Sequence, residues 1–73
     1  MERFLRYSLE RQRAIRLMYV DDKGAMKQVN ATVCAMDEQQ VELSTLRPKR
    51  QLTLPRQSLL AADYKKGDEG MTE

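Results

Sequence analysis

The stretch AIRLMYVDDKGAMKQV, residues 14–29, decides the fold. It is an apolar run, a short polar turn and a second run that returns. Ile15, Leu17 and Tyr19 alternate with Arg16, Met18 and Val20, the two-residue period of a strand with one face on a core. Asp21, Asp22, Lys23 and Gly24 follow. A polar loop ending in Gly marks a hairpin, since Gly takes positive φ with no Cβ penalty.

Working outward, the second strand is expected over residues 26–36. Val29, Ala31, Val33 and Ala35 alternate there with Gln28, Asn30, Thr32 and Cys34, and the small inward residues Ala31 and Ala35 predict a bent strand lying close to a neighbour. Asp37, Glu38 and Gln39 form the next turn, and Val41, Leu43 and Thr45 mark a third strand. Arg47-Pro48-Lys49-Arg50 reads as a turn in which Pro48 presets φ at the second position and supplies no ladder donor. Leu52 and Leu54 mark a fourth strand. Residues 55–58 read as a single helical turn with Pro55 at its first position. A fifth strand over 59–64 carries Leu60, Ala62 and Tyr64 on one face. Upstream, residues 2–12 read as a helix: Leu5 and Leu9 form an i,i+4 apolar pair, Phe4 and Ser8 fall at the same spacing, and no Gly or Pro interrupts. Glu2 stands at its positive end and Arg11 near its negative end. Three turns alone are marginal in water, so the helix needs a surface to lie on.

A helix followed by five short strands with turn signals between them is the pattern of a small barrel or sandwich. A partly open five-stranded barrel capped by the helix would bury Leu5, Leu9, Ile15, Leu17 and Val33 together, which is the Sm-like architecture. One domain over residues 1–64 and a disordered tail over 65–73 are expected, because KKGDEGMTE has two Gly and almost no apolar content. A chain of 73 residues buries only about 60% of its unfolded surface. A homo-oligomer formed through a strand edge is therefore expected to supplement a thin core.

Composition narrows the function classes. No apolar run approaches the ~20 residues a membrane span needs, and the charged opening MERFLRYSLE is not the apolar region of a signal peptide. A single cysteine, Cys34, forms no internal disulfide. These features predict a cytoplasmic protein. With no histidine in the chain, the Ser-His and Cys-His nucleophile systems and the usual neutral-pH base are missing. Cys34, between Val33 and Ala35, is expected as a buried or half-buried thiol. One Cys and no His leave no zinc or iron–sulfur ligand set. The acid pairs Asp21/Asp22 and Asp37/Glu38 lie in predicted turns, where they cap backbone, and neither offers enough oxygen ligands for calcium. The three glycines are scattered and make no phosphate-cradling loop. No enzyme, cofactor or metal is expected.

Charge distribution carries the functional signal. The net charge is only +2, but residues 47–56, RPKRQLTLPR, hold Arg47, Lys49, Arg50 and Arg56 with no acid. At a hairpin tip such cations can meet a phosphate backbone and release counterions. Arginine also stacks on bases, and Tyr7 or Tyr19 would add aromatic surface. The expected function is a binding module that takes RNA or DNA through Arg47, Lys49, Arg50 and Arg56. The alternative is an interaction or self-assembly module using open strand edges. Arg3, Arg6 and Arg13 are expected on the solvent face of the helix.

The first half resembles the start of WYL domains and of YolD-like small proteins, which open with a helix carrying Leu at i,i+4, an apolar strand with a Tyr and a turn with Asp and Gly. The matching residues are Leu5, Leu9, Ile15, Leu17, Tyr19, Asp22 and Gly24. QLTLPRQSLLAADY is similar to the last strand and turn of those domains, and Arg56 matches the arginine near the end of the family pattern. The tripeptide that names WYL domains is absent, and Val41-Glu42-Leu43 occupies that strand. The resemblance implies an Sm-like barrel and, by analogy, regulatory ligand sensing.

Overall fold

The computed structural model describes residues 1–65. Helix α1 (Glu2–Arg11) is followed by β1 (Ile15–Val20), β2 (Met26–Met36), β3 (Gln40–Thr45), β4 (Gln51–Pro55), a 3₁₀ turn η1 (Arg56–Ser58) and β5 (Leu59–Tyr64). The five strands form one antiparallel sheet in the order β4-β3-β2-β1-β5. Because β4 and β5 do not pair, the sheet is not closed and the barrel is partly open.

The hairpin of residues 14–29 is present. Asp21 N–H donates to Ala25 O at 2.9 Å, and Gly24 adopts φ 83°, the positive φ its missing Cβ allows. Asp21 Oδ1 accepts from the N–H groups of Lys23 and Ala25, both at 2.9 Å. Its side chain therefore closes the turn, as an Asx turn does. Asp37 repeats the device between β2 and β3, its Oδ1 accepting from Gln39 and Gln40 N–H at 2.8 Å.

Strand β2 serves two partners in succession. Its first half, up to Ala31, pairs with β1, and its second half, from Ala31 onward, pairs with β3. Ala31 faces both Ile15 and Thr45 and is completely buried. The small side chain expected at a bend sits where the strand changes partner. The core comprises Leu5, Ile15, Leu17, Ala31, Val33, Val41, Leu43, Leu54 and Leu59, with Leu9 half-buried against it.

Beyond the start of β1, where Ile15 faces Ala31, α1 takes over the free side of β2. Ser8 Oγ, fully buried, accepts from Val33 N–H at 2.8 Å and donates to Arg13 O at 2.6 Å. Gln12, the helix C-cap at φ 54°, donates through Nε2 to Leu9 O at 2.7 Å and to Val33 O at 3.3 Å. Two polar side chains thus satisfy the Val33 N–H and C=O, which β1 is too short to reach. Buried backbone groups require such partners. The helix is therefore fixed by an apolar stripe and by these strand-like hydrogen bonds.

Two β-bulges change which residues face inward. On β2 the pairing jumps between Val33 and Ala35, so Cys34 is the extra residue. Cys34 and Ala35 are exposed, and Met36 packs on the core instead. The expected buried thiol and inward Ala35 are corrected accordingly. On β5, Ala61 pairs with Met18 and Leu59 with Tyr19, which leaves Leu60 unpaired and 47% exposed while Leu59 is buried. The expectation that Leu60 shares the face of Ala62 and Tyr64 is corrected in the same way, because one inserted residue reverses the alternation. Pro55 ends β4 and caps η1 rather than opening the helical turn.

Candidate nucleic-acid interface

The loop between β3 and β4, residues 46–50, carries three of the four cations singled out by sequence. Its root is held by Thr45, a buried residue. Thr45 N–H donates to Arg50 O at 2.8 Å, its Oγ1 donates to Pro48 O at 2.6 Å and accepts from Arg50 N–H at 3.1 Å. The chain reverses across this loop, where the sequence places a turn, and the Arg47–Pro48 bond is cis. Arg47, Lys49 and Arg50 are all exposed, and none has an ion-pair partner among the described residues. The loop thus presents three guanidinium and ammonium groups on a base fixed by a buried hydroxyl.

Arg56 lies elsewhere. Strand β4 runs antiparallel to β3, from Gln51 opposite Ser44 to Pro55 opposite Gln40. Five residues at about 3.3 Å each separate Arg56 from the loop by roughly 17 Å. Its Nη1 donates to Glu2 Oε1 at 2.5 Å and its Nε to Asp37 O at 2.6 Å. That joins the start of α1, the β2–β3 turn and η1. The hydrogen bond from Arg56, reinforced by its charge and that of Arg6, holds the Glu2 carboxyl below its usual pKa, and the same hydrogen bond raises that of Arg56. Arg56 acts as a clamp on the fold, and the structure does not bring it to the loop.

Beside the loop lies a cleft of about 520 Å³, lined by Gln28, Val29, Asn30, Thr45, Leu46, Arg47 and Lys65. Gln28 and Asn30 are two apart on β2 and point to the same face. Arg47 supplies one wall and Lys65, half-buried just beyond β5, supplies a second cation. Among the described residues, no carboxylate lines the cleft. Arg16, the cross-strand partner of Asn30, is engaged by Asp63 at 3.3 Å. Leu46, 45% exposed, is the apolar surface at the lip.

Sequence reasoning did not find Gln28, Asn30 and Lys65 as cleft residues. Lys65 was expected in the tail, and it is the one residue of 65–73 that is described; the disorder expected of 66–73 lies outside the described residues. The aromatic residues are not at the cleft. Tyr7 and Phe4 pack edge-on against Tyr64, with ring centroids 5.2 and 4.9 Å apart, and Tyr19 lies along a second groove of about 530 Å³ with Val20, Leu52, Leu54 and Pro55. On the helix, Arg3 lies 5.0 Å over the Phe4 ring and Arg6 pairs with Glu2 at 3.5 Å.

Among the described residues, no cluster of three or more His, Cys, Asp or Glu could hold a metal ion, and no helix is long and apolar enough to cross a membrane. The chain matches no protein-family model, no curated protein and no solved structure.

Proposed function

We propose that this chain is a non-enzymatic, Sm-like β-barrel module of the cytoplasm that binds RNA or DNA through a basic rim. The rim is Arg47, Lys49 and Arg50, extended by Lys65. The observation that carries the reading is the loop itself: three exposed cations, unpaired among the described residues, on a root fixed by Thr45. Cations presented on a fixed base can neutralise phosphates and release counterions without first leaving a carboxylate. The Sm-like part rests on element order, with a helix first, the strand order β4-β3-β2-β1-β5 and a 3₁₀ turn joining β4 to β5.

The test is oligonucleotide binding by fluorescence anisotropy across a salt series. Binding should weaken steeply with salt, with a log–log slope of about 0.7–0.9 per phosphate contacted. Lys49→Glu with Arg50→Glu should abolish it and leave the melting temperature within the small range of surface substitutions, about 0.5 kcal/mol. Arg3→Glu with Arg6→Glu should weaken it far less. No binding at low salt refutes the proposal.

A second reading, self-assembly through a strand edge, is favoured by one observation. The unpaired edge strand β4 borders the groove lined by Tyr19, Val20, Leu52 and Leu54, which is richer in apolar surface than the cleft beside the loop. Open edges pair readily with another strand. Sedimentation equilibrium over a concentration series tests it: a concentration-independent monomer removes it.

A further inference from the structure

The cleft beside the loop narrows what kind of nucleic acid fits. We infer that it accepts one unpaired nucleotide of a single strand, whose base edge is read by Gln28 and Asn30 while Arg47 and Lys65 hold the flanking phosphates. This rests on the nucleic-acid reading above and goes beyond it.

Three features point this way. The first is size. A volume of about 520 Å³ lies within the range of about 300–1,000 Å³ typical of small-ligand pockets, so the cleft accommodates a nucleotide-sized group. The second is reach. Gln28 and Asn30 rise from a strand beside the 46–50 loop, and an amide on a sheet face extends only a short way. Duplex grooves are about 7.5–8.5 Å deep, and the loop would meet the backbone before either amide reached a base edge. A base turned out of a single strand brings its edge to the amides directly. The third is chemistry. Each carboxamide offers both a donor and an acceptor, which suits the paired donor and acceptor on a base edge, above all adenine. Among the described residues neither Gln28 nor Asn30 has a side-chain hydrogen bond, so both are available. Leu46 supplies an apolar lip for the face of the base, and the two cations on the walls carry no information about sequence but fix the strand's path.

The amide and cation roles separate experimentally because only one of them involves charge. Wild-type protein is titrated with labelled single-stranded DNA and RNA homopolymers and with a blunt DNA duplex of the same length, each across a salt series. Single strands should bind about tenfold or more tighter than the duplex, and adenine tracts tightest. Gln28→Ala with Asn30→Ala should weaken single-strand binding by about tenfold, the loss of two hydrogen bonds, erase the adenine preference, and leave the salt slope unchanged. Lys65→Gln should instead reduce the slope by about one. Both amides are exposed; if the alanine pair does not fold, the threonine pair, better suited to a strand, carries the measurement. Equal affinity for duplex and single strand overturns the inference, as does an amide variant that binds like the wild type, and in either case the basic rim survives. Failure of the wild type to bind any of these probes at low salt overturns both. A preference for RNA over DNA of the same sequence would place a 2′-hydroxyl contact in the cleft and supports the inference.

Discussion

Ser8→Ala offers the sharpest test of how this small fold is held together. The Ser8 hydroxyl is fully buried and makes two hydrogen bonds, accepting from Val33 N–H and donating to Arg13 O. Alanine fits the space but leaves both groups without that partner. An unsatisfied buried donor costs about 1–3 kcal/mol, and loss of the second, partly buried bond about 0.5–1.5 kcal/mol. The combined loss is about 1.5–4.5 kcal/mol. At about 0.05–0.15 kcal/mol per residue, a chain of this length has only about 4–11 kcal/mol in total. Each kcal/mol moves the melting temperature by about 4–8 °C in a domain of this size, so a drop of at least about 6 °C is expected by circular dichroism. Hydrogen exchange localises the effect, since Val33 N–H should lose protection while Leu43 N–H on β3 keeps it. A variant that melts within about 2 °C of the wild type, with Val33 still protected, would refute the reasoning.

The remaining predictions concern the core, the turns and the clamp. Leu17→Ala, at a fully buried position facing Val29 and Ala62, should cost about 2–5 kcal/mol by urea denaturation; a near-neutral result would mean the β1 register is wrong. Glu2, Asp21 and Asp37 all titrate below their usual values when folded, through the hydrogen bonds from Arg56, from Ala25 and Lys23 N–H, and from Gln39 and Gln40 N–H respectively. A depressed folded pKa gives stability that is complete above the unfolded pKa, about 4, and lost as pH falls through the folded value. The melting temperature should therefore hold level from neutral pH to about 5 and fall below about 4, with a shallower acid slope in Asp37→Ala; a flat profile would contradict the assignment. Arg56→Ala should lower the melting temperature by releasing Glu2 and Asp37, yet leave the salt slope of oligonucleotide binding intact; a reduced slope would return Arg56 to the rim.

Local chemistry determined much of this protein from its sequence. The alternation of Ile15, Leu17, Val41 and Leu43 with polar neighbours identifies strands, because side chains on a strand project to opposite faces at every step. Asp21 to Gly24 identifies the hairpin because an Asx turn and a positive φ are properties of single residues. The helix, the five strands and the acid-free run of residues 47–56 were legible for the same reason. What needed the tertiary structure was everything set by pairing between distant segments. The bulges at Cys34 and Leu60 arise from register with β3 and β1, so they turned outward residues that periodicity placed inward. Ser8 looks like a small residue on an apolar stripe, and its role appears only once α1 lies beside β2 beyond the start of β1. Arg56 shares a ten-residue window with Arg47, yet an antiparallel strand carries it to the opposite end of the hairpin and onto Glu2. The cleft unites Gln28 and Asn30 of β2 with Arg47 and Lys65, residues up to 37 positions apart in the chain. No local pattern encodes that meeting; the pairing of distant strands creates it.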